Sequence, residues 1–414
     1  MTASSPKKYL GALTGLRGLA ALFILANHAC SWTAPNVAPP VNPKLVAVMT
    51  SLSMSVFFVL SGFVIHYNYA AKFQGAFLPA ARRFLLARFI RLYPLYALCL
   101  ILALGLSADI WPPNGLGAFI KAAAAYFAGV QSWFYFTLGG YRLLDFLFPL
   151  SWAISVELFL YLLYPLVTRL VSLAARPLFA LSAVLVSFGV CMAVMYLYQI
   201  FNPYWLFEAT KRFPEAAAVN PNFLHHFHQW AVYLAPYPRI PEFLQGALAA
   251  QLLLSVKDRP TSPGERLAGG LALGAGAVYL ILCVQVCLIS DDFALHMLRQ
   301  NTLFAPGLAT LMFCLSRYDQ GRIARLMTVK PLVFLGEISL ALYLVQTWSL
   351  RFFSTQSAEP VTGALAISWL GRYGLNVAAS LVTAYVAWKW IELPANAALK
   401  RLFGLGKTKP AAGS

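Results

Sequence analysis

Charge is what this sequence most conspicuously lacks: 11% of its 414 residues are Asp, Glu, Lys or Arg. A soluble chain carries roughly 25%. That shortage removes the polar surface needed to keep a globular protein in water, and with 60% hydrophobic residues it excludes an ordinary soluble enzyme. Acidic residues are scarcer still, 14 against 31 basic ones, for a formal net charge of +17. No polar basic domain exists to bind nucleic acid, so that partner is excluded and the excess is assigned to loops. The six cysteines (Cys30, Cys99, Cys191, Cys283, Cys287, Cys314) lie almost entirely in apolar runs and form no disulfide or zinc pattern. Internal repeats, low-complexity stretches and a soluble second domain are also missing.

Long apolar runs are what is present. A spanning helix needs about 20 mostly apolar residues. Such runs occur near 10–31, 45–69, 94–107, 150–170, 178–200, 239–256, 267–289, 301–316, 331–353 and 363–391. Two of them, 94–107 and 301–316, are short and are expected to borrow residues from their flanks or to lie beside a cavity. The fold class is therefore all-α, a polytopic integral membrane helical bundle of about ten transmembrane helices. Lys7 and Lys8 precede the first run, but Arg17 interrupts it and more runs follow, so a retained span is expected rather than a cleaved signal peptide.

Loop charge supplies a topology. Basic residues cluster at the N-terminus, at Lys72–Arg91, at Arg169 and Arg176, at Lys257–Arg266, at Arg317–Lys330 and in the tail from Lys400. The positive-inside rule places all of these in the cytoplasm. That works with ten spans only if the apolar stretch 119–136 does not cross. The division is then a cytoplasmic N-terminus (1–9), a transmembrane domain (10–400) and a cytoplasmic tail (401–414), in an inner (plasma) membrane.

Ionisable groups within a span cost roughly 2.5–3.5 kcal/mol each on insertion scales, so those that persist are paired, hydrated or functional. Arg17 and His28 sit eleven residues apart in LTGLRGLAALFILANHA. At 100° per residue this is three turns plus about 20°, so both share one helix face, separated by roughly 16 Å. One reading is a polar stripe lining a passage; the other is that Arg17 snorkels and His28 sits at headgroup level. Glu157 is embedded in SWAISVELFLYLLYP, with Tyr161 one turn on. It is either one half of a structural ion pair or a group that orients His28. Arg88 and Arg91 share a face of RRFLLARFIRLYPLY, with Arg82 and Arg83 just before them. They suit an interfacial helix on anionic lipid or a phosphate clamp, for which arginine forks are better than lysine points.

Other polar groups carry less. His66 reads as a packing residue, and Glu242 and Glu392 as structural ties. His225, His226 and His228 form an HHxH cluster without a nearby Cys or acid to complete a metal set, so no metal is expected. Cys30 lies about 200° around the helix from His28 and does not suit an acyl carrier.

Taken in order, these segments resemble the membrane-bound acyltransferase-3 family. Arg17 and His28 fit its Arg–ten residues–His pattern, and SVFFVLSGFVI (55–65) is similar to its second span. Arg88 and Arg91 with Pro94 and Tyr96 fit its RxxR signature, and SWAISVELFLYLLYPL its SLxxExxFY segment with Glu157 at the acid. RIPEFLQG (239–246), GEISLALYL (336–344) and IELP (391–394) resemble later segments, so the likeness runs from about residue 10 to 400.

The resemblance implies an O-acyltransferase that moves an acyl group, expected to be acetyl, from acyl-CoA to a hydroxyl of a cell-envelope or secreted carbohydrate or glycolipid. It implies that His28 is catalytic and that Arg17, Arg88 and Arg91 are required; Arg83 joins them as a donor-binding candidate and Glu157 as a partner of His28. Two departures stand out. Where the family often has a histidine after YLL, this chain has Gln346 after YLV. The chain also ends without the SGNH-type domain that some members carry, so a single-domain enzyme is expected. The rival reading is a transporter or flippase for a lipid-linked or acylated solute, against which stands the absence of paired halves.

Overall fold

The computed structural model describes residues 10–33, 41–106, 115–145, 147–174, 176–291, 293–355 and 365–405. The cytoplasmic N-terminus expected at 1–9, the last nine residues of the tail and parts of three connections (34–40, 107–114 and 356–364) lie outside the described residues.

The first half of the chain forms α1 (Gly11–Thr33), α2 (Pro43–Tyr69), α3 (Phe77–Leu106), α4 (Leu116–Phe127), α5 (Trp152–Leu173) and α6 (Pro177–Ile200). A compact excursion follows: α7 (Asn202–Arg212), α8 (Pro214–Val219) and α9 (Phe223–Gln229). The remainder is α10 (Ile240–Val256), α11 (Pro263–Ile289), α12 (Phe293–Arg299), α13 (Ala305–Arg317), α14 (Arg322–Met327), α15 (Lys330–Glu337), α16 (Ser339–Thr355), α17 (Leu365–Ala387) and α18 (Leu393–Leu402). Among the described residues, extended structure amounts to one two-residue hairpin, β1 (Thr137–Leu138) with β2 (Tyr141–Arg142).

Helix starts follow local chemistry. Pro43 opens α2, and the Asn42 side chain accepts from the Lys44 amide at 2.9 Å. Ser262 caps α11 by accepting from the Glu265 amide at 3.1 Å, with Pro263 between them. Both arrangements satisfy amides that a first turn leaves open.

Among the described residues, six helices are individually long and apolar enough to cross a membrane: α1, α2, α3, α5, α6 and α11. The bent pair α15–α16 makes a seventh if counted as one span. The sequence runs read as spans at 239–256 and 301–316 are α10 and α13, of 17 and 13 residues. Both are surrounded by other helices, and a helix enclosed by protein is not held to bilayer length. The run at 94–107 is the second half of α3, which continues through Pro94 for 30 residues. In the 119–136 stretch, α4 has 12 residues, a length of about 18 Å, short of a bilayer core of roughly 30 Å.

Packing is set by glycine. A Cβ at Gly62 of α2 would fall on the Phe243 carbonyl of α10, and one at Gly246 of α10 on the Val59 carbonyl of α2. The two backbones therefore touch at reciprocal small residues, as apolar helices do where no hydrophobic force draws them together. The same device joins α1 to α15: Cβ atoms at Gly18 and Gly336 would meet the carbonyls of Leu332 and Thr14. Large side chains such as Leu178, Leu185 and Val186 of α6 and Leu271 and Ile281 of α11 remain exposed, forming the apolar outer wall that a bilayer would cover.

Candidate active site

A narrow cavity of about 100 Å³ lies between α1, α2, α3, α5 and α16. Its polar lining is Arg17, Ser61, Arg88, Arg91, Glu157, Tyr161, Ser339 and Tyr343. The remaining walls are apolar, including Met54, Phe57, Phe58 and Ile154. Thus Arg17, Arg88, Arg91 and Glu157, dispersed over 140 residues of sequence, line one cavity.

Arg17 is positioned by a broken helix. The chain turns by 71° between α15 and α16. A break leaves the last carbonyls of the first segment without amide partners, and these form the negative end of its dipole. Arg17 donates to one of them, the Gly336 carbonyl, from Nε at 2.8 Å and also from Nη2. Gly336 has no side chain to keep α1 away, and Ser339 Oγ donates to the same carbonyl at 2.9 Å.

Arg88 is clamped by rings. Its guanidinium lies 4.9 Å from the Tyr69 ring, 5.8 Å from Phe84 and 6.0 Å from Tyr161, and Nη2 donates to the Tyr69 hydroxyl at 3.0 Å. Its Nε is buried without a partner, an unfilled donor at the cavity wall. Such aromatic seating suits a guanidinium better than an ammonium.

Glu157 accepts a hydrogen bond from the Tyr161 hydroxyl, one turn along α5. The guanidiniums of Arg91, Arg88 and Arg17 all lie close enough for their charge to act on it. Glu392, read from the sequence as a tie, comes to the same place: it bears on Arg91 and Arg17, and its Oε2 is buried without a partner. Three cations and one carboxylate thus line one slot, with the second carboxylate, Glu392, near two of the cations.

His28 is elsewhere. It does not line the cavity; it lies further along α1, and the side chain facing it is Gln346 of α16. Its Nδ1 is buried without a partner. Gln346 donates from Nε2 to the Tyr343 carbonyl at 3.1 Å, and Tyr343 lines the cavity, so α16 connects the two regions within one turn. Glu157 sits with the arginines rather than with His28. Gln346 occupies the position at which the sequence departs from the resembled family, and that departure was the available signal for it.

Arg82 and Arg83 are both exposed, and Arg83 lines a separate pocket. His66 is buried, with Nε2 at 2.8 Å from the Gln251 amide oxygen and Tyr164 beside Nδ1, a packed pair of helix-linking contacts. Outside the spans, His226 has its pKa lowered by burial and by the neighbouring Arg142. His296 is pushed down to about 4 by burial and by Arg299.

Three known proteins are similar to this chain in sequence. "Acyltransferase MdmB" of Streptomyces mycarofaciens is 25% identical over 375 residues, 87% of this chain and 87% of its own length. "Peptidoglycan O-acetyltransferase OatA" of Listeria monocytogenes is 21% identical over 94% of this chain and 56% of its own. "Protein 2 in picA locus" of Rhizobium radiobacter is 40% identical over 103 residues, 25% of this chain. The chain spans about half the length of these last two relatives, 56% and 47%. No solved structure matches. The family description "Acyltransferase domain" fits residues 10–389, and with nearly the whole chain inside that match the protein belongs to the acyltransferase-3 family.

Proposed function

We propose that this protein is a multi-pass membrane O-acyltransferase that moves an acetyl group from acetyl-CoA to a hydroxyl of a cell-envelope carbohydrate or glycolipid. The observation that carries the reading is the slot that Arg17, Arg88, Arg91 and Glu157 line together, with His28 further along α1. A peptidoglycan O-acetyltransferase among the relatives supports a carbohydrate acceptor. The basic loops favour an inner membrane location with both termini cytoplasmic.

In this account the donor enters from the basic end of the bundle and its acyl-pantetheine arm runs along the Arg17 side of α1 toward His28. His28 takes the proton of the acceptor hydroxyl, a task suited to imidazole because its ordinary pKa of about 6.5 lies near working pH. The acceptor oxygen forms a bond to the thioester carbonyl carbon, the carbon–sulfur bond breaks, and the coenzyme A thiolate leaves and takes up the proton. Gln346 holds the imidazole, and Arg17 and Arg88 offer donors to the arm.

The 71° break in α15–α16 gives the transporter reading one specific support, since broken helices also frame transport sites. Purified protein in lipid nanodiscs, given acetyl-CoA and a panel of sugars and glycolipids, separates the two. Acceptor-dependent release of free thiol supports acyl transfer. Uptake or flipping of an acylated solute without thiol release supports transport.

A further inference from the structure

Between the arginines of the slot and His28 stands Tyr343, a hydroxyl with no task in the steps above. Ser339, Tyr343 and Gln346 follow one another along α16 at spacings of four and three residues. At 100° per residue they fall within about 60° of one another, on a single helix face at successive depths. Ser339 lies at the level of Arg17, since both donate to the Gly336 carbonyl. Gln346 lies at the level of His28, which it faces. Tyr343 is one turn from each, buried, and it lines the slot with Ser339. Two other hydroxyls of the slot are committed elsewhere, Tyr161 to Glu157 and Ser339 to Gly336.

Behind Tyr343 is a buried ion pair. The side chains of Arg239 and Glu242 are both wholly buried, with Nη1 at 3.0 Å from Oε2. Rings box the guanidinium, Tyr233 at 4.4 Å, Phe58 at 5.1 Å and Trp152 at 5.6 Å, and Nε donates to the Tyr233 carbonyl at 3.1 Å. Phe58 also lines the slot, so box and slot share a wall. The charge of Arg239 bears on Tyr343, and its Nη2 is buried without a partner. A fully buried pair of this kind is often no more stabilising than apolar residues of the same volume, so packing alone gives little reason for it. A fixed cation beside a phenol, away from water, makes the hydroxyl a stronger donor.

We propose that Tyr343 is a catalytic residue whose hydroxyl donates to the thioester carbonyl oxygen of the donor, and that Arg239 and Glu242 are positioning residues that strengthen and hold that donor. The inference rests on the acyl-transfer reading above. The arm running from Arg17 toward His28 along this face brings the thioester past Tyr343. As the acceptor oxygen bonds to the carbonyl carbon, its proton goes to His28 and the carbonyl electron pair moves onto the oxygen. Tyr343 holds that oxyanion by hydrogen bond and keeps its own proton. The pair then returns, the carbon–sulfur bond breaks, and the thiolate takes up the proton from His28. A donor aimed at the charge that develops in the transition state is a large contribution to such a reaction.

The experiment uses the full chain in phosphatidylcholine nanodiscs. The carbonyl stretch of bound acetyl-CoA, labelled with carbon-13 at the carbonyl, is recorded by difference infrared spectroscopy without an acceptor. A hydrogen bond to the carbonyl lowers its frequency, so the natural protein should shift the band below its position in buffer. Tyr343→Phe, which keeps the ring, should return the band toward the buffer position. Tyr343→fluorotyrosine, with a more acidic hydroxyl, should lower it further. Acetyl transfer to the acceptor found in the panel above should fall about a hundredfold in kcat for Tyr343→Phe, with the KM for acetyl-CoA little changed. Arg239→Lys should lose part of the band shift and part of kcat.

A band that stays where it is in both Tyr343 variants, whatever their turnover, overturns the assignment and leaves the acyltransferase reading standing. A raised KM with kcat and band unchanged does the same and makes Tyr343 a binding contact. Should Tyr343→Phe fail to fold, the fluorotyrosine variant alone decides between a lowered band and an unmoved one. No bound acetyl-CoA band and no thiol release from the natural protein overturns the donor reading and this inference together.

Discussion

Arg17 binds the main-chain carbonyl of Gly336, with Nε at 2.8 Å, and in doing so fastens α1 to the end of a broken helix. The contact exists because α15 stops where it does and because position 336 has no side chain. An arginine that the sequence suggests as a ligand contact is thus also a structural rivet, and its two roles make separable predictions.

Arg17→Lys keeps the charge but loses the fork that reaches Gly336 from two nitrogens. A hydrogen bond involving a charged group contributes about 1.5–3 kcal/mol. Transfer activity is expected to fall at least tenfold, with the thermal midpoint lowered by a few degrees. Activity and unfolding of the purified variant, measured together, check this; unchanged values in both would remove Arg17 from the site.

Gly62→Ala and Gly246→Ala each place a methyl group on the backbone of the facing helix. Overpacking of this kind costs about 1–3 kcal/mol. Each variant should unfold at lower temperature, and Gly75→Ala, where nothing lies within 4 Å, should not. Differential scanning fluorimetry in detergent compares the three.

Tyr161 donates to Glu157, and both line the slot. Tyr161→Phe removes that donor without changing shape, and Glu157→Gln removes the carboxylate charge from among three arginines. Both are expected to reduce kcat, Glu157→Gln by ten- to a hundredfold and Tyr161→Phe by less. If Glu157→Gln turns over normally, the carboxylate is a structural counter-charge alone.

Gln346 faces His28. Gln346→Ala leaves the imidazole unrestrained and should lower kcat about tenfold with little change in the KM for acetyl-CoA. A rise in KM with kcat unchanged would assign Gln346 to donor binding instead. Steady-state kinetics across a range of donor concentrations gives the split.

Much of this site was legible because charge in an apolar run is costly and therefore conspicuous. Arg17, Arg88, Arg91 and Glu157 stood out for that reason, and the structure gathers them around one slot. Their partners were not legible. The bend between α15 and α16 leaves no mark in GEISLALYL, which reads as one continuous run, because the break is stabilised by Arg17 from 319 residues away. Pro94 suggested the start of a span, yet α3 runs through it, since a helix inside protein tolerates a missing amide. Glu392 and Tyr69 lie near helix ends in sequence and join the site only through packing. The sequence leaves Glu157 open between an ion pair with an arginine and a role at His28; in three dimensions the arginines lie near Glu157, and Gln346 faces the histidine.

The central claim is that His28 is the base that activates the acceptor. Membranes holding equal amounts of inserted natural protein and His28→Ala, supplied with radiolabelled acetyl-CoA and a carbohydrate acceptor, test it most directly. The account predicts labelled acceptor from the natural protein and a loss of at least a hundredfold in the variant, with adenosine 3′,5′-bisphosphate binding retained. Undiminished labelling by His28→Ala would contradict it.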